Sequence, residues 1–218
     1  MTRLLTPILC AVFFLSGAAA LLFETLWFRQ TGLTFGNSAT ASSLVLAAFM
    51  GGLALGNGLS ARLGSRIQRP IRFYALLELI IAMVGVVLVW ALPALTNGLS
   101  HFLRPFLNQP YLLNPLRLLL GFTLLSMPAT AMGATLPLLV KALRAHDANF
   151  GAVLGRLYGW NTLGAVAGAL AGEIALIEWF GIRGSAMVAA LLDIIAALAA
   201  LFIAARWNEI PETQQPAP

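Results

Sequence analysis

Four carboxylates, Glu24, Glu78, Glu173 and Asp193, lie inside stretches that are otherwise almost wholly apolar. An acidic side chain at the centre of a membrane span costs roughly 2.5–3.5 kcal/mol on insertion scales, so it turns to a bundle interior or a wet cavity. Two kinds of chemistry suit it there. A carboxyl out of water favours its protonated form and can carry a proton, and a carboxylate can bind a cation that must cross. Asp193 lies nine residues into the last apolar stretch, near mid-bilayer at 1.5 Å per residue. Glu78 lies between one and two turns from the inner end of its stretch, where Lys141 or Arg156 of a neighbouring loop would neutralise it. Glu24 stands near an outer end, one turn before Trp27 and Arg29, and reads either as an interface ion pair or as a solute or proton site. Glu173 and Asp193 have no obvious partner in sequence. Asn161 adds a polar group, and Tyr74 and Tyr158 bring hydroxyls to the inner mouth.

Other chemistry is poorly supplied. No Ser/His/Asp or Cys/His set falls within the apolar stretches, so no catalytic residue is expected and the chain is not expected to be an enzyme. Cys10 is the single cysteine, which excludes a disulfide framework and a Cys/His metal site. No glycine-rich turn follows a strand, so no nucleotide cofactor is expected. His101 and His146 fall in connecting segments, far apart, and read as solvated.

These residues need elements that cross a bilayer. The 218-residue chain is 60% apolar and only 10% charged, with a mean hydropathy of +0.88. An average soluble domain carries about 25% charged residues. A span needs about 20 apolar residues, and six such stretches occur: 4–26, 40–63, 73–95, 116–143, 152–177 and 185–207. The first continues past Ala20 through Phe23, longer than a signal-peptide core, and predicts an uncleaved span. Breaks fall at the glycine- and Asn-containing turn 32–38, the arginine-rich loop 62–72 and the long proline connection 97–115. Two more follow, at the polar segment 145–149 and the glycine turn 180–184. With the amino terminus inside, nine Lys and Arg fall on the cytoplasmic side and four on the other, which predicts both termini in the cytoplasm. The net charge of +5 then reflects topology, not nucleic-acid binding. The five tryptophans near span ends suit the interface. Residues 1–207 form the membrane domain, and 208–218, polar and proline-rich, predict a disordered tail.

Glycines recur at four-residue spacing, at Gly52 and Gly56, then at Gly164, Gly168 and Gly172, preceded by Gly151, Gly155 and Gly159. Such spacing lets backbones approach closely, within one chain or between two. Pro128 and Pro137 predict a kinked fourth span. Met50-Gly51 leading to Arg72-Phe73-Tyr74 is echoed by Met132-Gly133 leading to Arg156-Leu157-Tyr158, a helix-hairpin repeat of the kind transporters use.

Four blocks carry a resemblance: Ser16-Gly17-Ala18-Ala19-Ala20 into Phe23-Glu24-Thr25-Leu26-Trp27-Phe28-Arg29 and Phe35-Gly36-Asn37-Ser38; Arg69-Pro70-Ile71-Arg72-Phe73-Tyr74-Ala75-Leu76-Leu77-Glu78; Pro128-Ala129-Thr130-Ala131-Met132-Gly133-Ala134-Thr135-Leu136-Pro137; and Gly155-Arg156-Leu157-Tyr158-Gly159-Trp160-Asn161-Thr162-Leu163-Gly164. Together they resemble the membrane region of the spermidine-synthase-like transmembrane proteins, in which a major-facilitator-like helical region is fused to an aminopropyltransferase-like domain. The likeness runs from about Leu15 to Ile203. It departs from that pattern in two ways. Eleven residues follow Trp207, so no aminopropyltransferase domain and no synthase activity are expected, and Ala61 stands where the major-facilitator loop has an aspartate.

The resemblance implies an all-α, major-facilitator-like half-bundle of six transmembrane helices. The expected role is transport of a small solute, of cationic amine type, across a bacterial cytoplasmic (inner) membrane. A lone half would pair as a homodimer or with another membrane or soluble protein. The competing expectation is a non-catalytic membrane anchor that assembles a larger complex.

Overall fold

The computed structural model describes residues 2–35, 39–102, 110–144 and 150–206. Among them every regular element is helical: α1 (Thr2–Phe35), α2 (Ala39–Leu63), a short 3-10 turn (Gly64–Arg66), α3 (Pro70–Phe102), α4 (Pro110–Arg144), α5 (Phe150–Ala171), a π-helical turn (Gly172–Leu176) and α6 (Ile177–Arg206). Helices are the open-ended element whose backbone polar groups are all satisfied internally, as lipid demands. Pro70 and Pro110 open α3 and α4, at the position where a missing N–H costs nothing. Phe73 N donates to Arg69 O at 3.0 Å and closes the first turn of α3.

Among the described residues five helical segments are long and apolar enough to cross a membrane, not six. The expected fifth and sixth spans fall in one 56-residue segment, Gly151–Arg206, because two helices abut across a kink at Gly181. Its direction still reverses at Gly181, whose φ of 66° and ψ of −179° lie in a region open essentially to glycine alone. Helix also covers more of the expected 97–115 connection, since α3 runs to Phe102 and Pro115 lies inside α4. The turn residues 36–38, the 145–149 segment with His146, and the 208–218 tail lie outside the described residues.

Helix directions follow from register. Phe14, Ala18 and Leu22 of α1 meet Gly164, Gly168 and Gly172, so α5 and its π-turn run parallel to α1. Gly52 meets Ser126 and Ala129, and Gly56 meets Thr130 and Gly133, so α2 and α4 are parallel. Arg183 lies over the Trp90 ring at 5.8 Å while Asp193 neighbours Glu78, so α6 runs against α3. The glycine spacing therefore serves packing within this chain. A Cβ at Gly56, Gly164 or Gly168 would overlap a carbonyl oxygen of the facing helix. Gly155 and Gly159, by contrast, face open space.

The main packing pairs are α2 with α4, α1 with α5, and α3 with α6. Exchanging α1 with α4, α2 with α5 and α3 with α6 returns this set to itself and pairs helices of opposite direction. The chain thus packs as two inverted three-helix units. This differs from the hairpin repeat read in the sequence, whose motifs sit in unlike places: Met50 is exposed and Met132 buried. α4 stays helical through Pro128 and Pro137, and hydroxyls bond back onto carbonyls around Pro128, Ser126 Oγ to Phe122 O at 2.7 Å and Thr130 Oγ1 to Ser126 O at 2.7 Å.

Two apolar cores stack along the bundle. One gathers Leu9, Phe13, Ile71, Leu139, Leu157 and Ala200 at the end where α1 begins. The other gathers Leu22, Phe23, Trp27, Phe49, Val89 and Ala186 toward the opposite end. The lateral surface is uneven. Over residues 73–94 and 187–205, every exposed side chain of α3 and α6 is apolar. Exposed polar groups within the spans fall elsewhere, among them Ser43 and Asn57 on α2, Thr123 on α4 and Thr162 on α5.

Candidate functional site

Where the two cores meet, four polar side chains converge from three helices. Glu78 lies two turns into α3, and Tyr74 stands one turn before it on the same face. Ser16 comes from the middle of α1, and its Oγ donates to Glu78 Oε1 at 2.7 Å. Asp193 comes from α6 and lies against Glu78, as does Tyr74. The relative exposures are 0% for Glu78 and Tyr74, 1% for Asp193 and 6% for Ser16. Tyr74 Oη, Glu78 Oε2 and Asp193 Oδ2 have no hydrogen-bond partner of good geometry.

An orphaned buried polar atom costs about 1–3 kcal/mol, and a charged one more. Three gather at this spot, two of them on carboxyls and without a basic side chain among the groups acting on either; the other two in the described core are Gln30 Oε1 and Thr31 Oγ1. The described residues hold no group of three or more His, Cys, Asp or Glu suited to a metal ion. Two carboxyls and two hydroxyls can instead take up a proton or another small cation.

The structure brings together Tyr74, Glu78 and Asp193 from the residues singled out in the sequence, and it corrects their partners. Glu78 is not neutralised by Lys141 or Arg156. Lys141 Nζ donates to Gly64 O at 2.9 Å, and Arg156 Nε to Ala152 O at 3.3 Å. Glu173, which has no obvious partner in sequence, pairs with Arg29 at 2.9 Å, the two side chains 51% and 46% exposed. Glu24 is therefore not the partner of Arg29; it is half-buried, two turns along α1 from Ser16. Asn161 is a structural tie, its Nδ2 donating to Phe13 O at 3.0 Å across the α1–α5 seam. Tyr158 is 61% exposed on the outside of the bundle and brings nothing to the cluster. Trp27 is buried in the core, not at an interface, and its Nε1 donates to Gly85 O at 3.5 Å.

Sequence reasoning missed Ser16 as a site residue. Its signal was weak: a small hydroxyl in a Ser-Gly-Ala run reads as packing until the facing helix is known. Gln30, also missed, donates from Nε2 to Val89 O at 2.8 Å.

The molecule belongs to the class of all-helical proteins with several segments apolar enough to cross a membrane. Comparison with protein-family models, curated proteins and solved structures finds no match to the chain.

Proposed function

We propose that this chain is a multi-pass protein of a bacterial cytoplasmic membrane that moves a small cationic solute, and that it works as a dimer. The observation that carries the reading is the Glu78–Asp193 pair, buried between α3 and α6 without a basic partner. Ionisable groups at such depth mark ion and proton paths in membrane proteins. The long segment crosses twice in this reading. Straight, its 56 residues would extend about 84 Å against a hydrocarbon core of about 30 Å, and Gly181 supplies the reversal.

The inverted three-helix packing supports a major-facilitator-like half, as do the four sequence blocks that resemble the spermidine-synthase-like membrane proteins. A wholly apolar α3–α6 surface suits lipid. The polar groups on α2, α4 and α5 suit a seam with a second copy, across which a solute passes. The test is uptake of labelled putrescine, as the probe diamine, into proteoliposomes with and without an imposed pH gradient. Gradient-dependent uptake lost in Asp193→Asn supports the reading; equal uptake in wild type, variant and empty vesicles rejects it for that amine class.

A second reading, a membrane anchor for a partner protein, draws on Gly155 and Gly159, which face open space at helix-packing spacing. Under it, Gly155→Leu releases a co-purifying partner and Asp193→Asn changes little.

A further inference from the structure

We propose that Glu78 and Asp193 form a two-carboxyl site for one exchangeable proton, and that this proton latches α6 to α3. The inference rests on reading the acid pair as a site, as above, and adds its occupant.

The titratable groups facing the pair are Tyr74 from α3 and the two carboxyls themselves; α1 contributes the Ser16 hydroxyl. Two carboxylates in contact and out of water do not both stay ionised. One proton between them leaves a single negative charge. Ser16 Oγ already donates to it, and the Tyr74 hydroxyl adjoins with no partner elsewhere.

Calcium takes 6–8 oxygens and magnesium a near-ideal octahedron, and ion sites inside membrane proteins draw carbonyls from broken helices. Here α1, α3 and α6 stay helical through Ser16, Glu78 and Asp193, so their carbonyls are committed to the helix. Side chains alone offer two carboxyls and two hydroxyls. A proton needs only two facing oxygens.

Apolar packing seals the pair on both sides, so exchange with water requires α6 to part from α3. The buried face of α6 around Asp193 is Ala186, Ala189, Ala190, Ala196, Ala197 and Ala200. Single methyls interlock little, and the Gly181 reversal lies one turn from the start of the helix. With the proton in place, an O–H···O bond joins the helices. Once the proton has left to water, two carboxylates repel and the latch opens. Nothing else is consumed: the proton enters from water on one side and returns to water when the pair is exposed.

Infrared spectroscopy of the full chain in nanodiscs, in H2O and D2O, tests this without reference to transport. Expected is one carbonyl-stretch band of a protonated carboxyl that shifts slowly in D2O. It disappears in Glu78→Gln/Asp193→Asn and changes frequency in Tyr74→Phe, which keeps both acids and so guards against a misfolded double variant. No such band in wild type, or a band indifferent to all these changes, overturns the proposal. A band abolished by sodium, potassium or calcium at constant pH also overturns it, in favour of a bound metal cation. A confirmed band alongside absent uptake rejects the transport reading and leaves the proton site standing; uptake without the band does the reverse.

Discussion

Glu173 and Asp193 look alike in sequence, each an acid in an apolar run, and the fold gives them opposite chemistry. Glu173 sits half-exposed on the π-helical turn and is met by Arg29. Such pairs contribute roughly 0–1 kcal/mol. Glu173→Gln should therefore lower the unfolding midpoint in detergent by no more than a few degrees and leave the protonated-carboxyl band unchanged; a large loss in either would show that the pair has a buried role. Asp193 is enclosed, and its neighbour is another acid. Asp193's place midway along α6 was legible because it follows from counting residues along a helix. Such counting could not supply Glu78 as partner, since that contact depends on α6 running against α3, with 114 residues between the two in sequence. Tyr74 was legible only as a hydroxyl near the inner end of α3, and Tyr158 was misread because helical phase decides which tyrosine points inward.

At the level of the elements, the glycine pattern was the most readable feature. Spacing of four residues predicted tight seams, and Gly52, Gly56, Gly164, Gly168 and Gly172 all lie in them. What spacing alone does not carry is the identity of the facing helix, which here belongs to the same chain. Gly168→Leu should destabilise strongly, on the order of 3 kcal/mol or more, because its side chain meets Ala18 backbone that cannot yield. Gly155→Leu should leave the monomer's thermal midpoint within a degree or two, since open space surrounds it. Equal losses in the two variants would contradict the assigned seams. The break at 180–184 was legible as a glycine turn, and the chain makes it as a kink at Gly181 between two abutting helices. Gly181→Ala should cost about 1–3 kcal/mol through its backbone angle alone.

Across the whole molecule, composition gave the class and hydropathy gave the rods, while the arrangement came from contacts no local signal encodes. The all-apolar α3–α6 surface and the polar groups of α2, α4 and α5 divide the bundle into a lipid side and a mating side in our reading. Gly155→Trp should accordingly lower the dimer fraction in nanodisc subunit counting, and Met83→Trp on the α3 surface should not. The central claim is that the acid pair couples a proton to the movement of a cationic solute. Its most direct test is proton flux reported by a pH dye entrapped in proteoliposomes when putrescine is added outside. The account predicts a putrescine-triggered pH change with wild type and Glu173→Gln, and none with Asp193→Asn. A pH change of the same size with Asp193→Asn would contradict it.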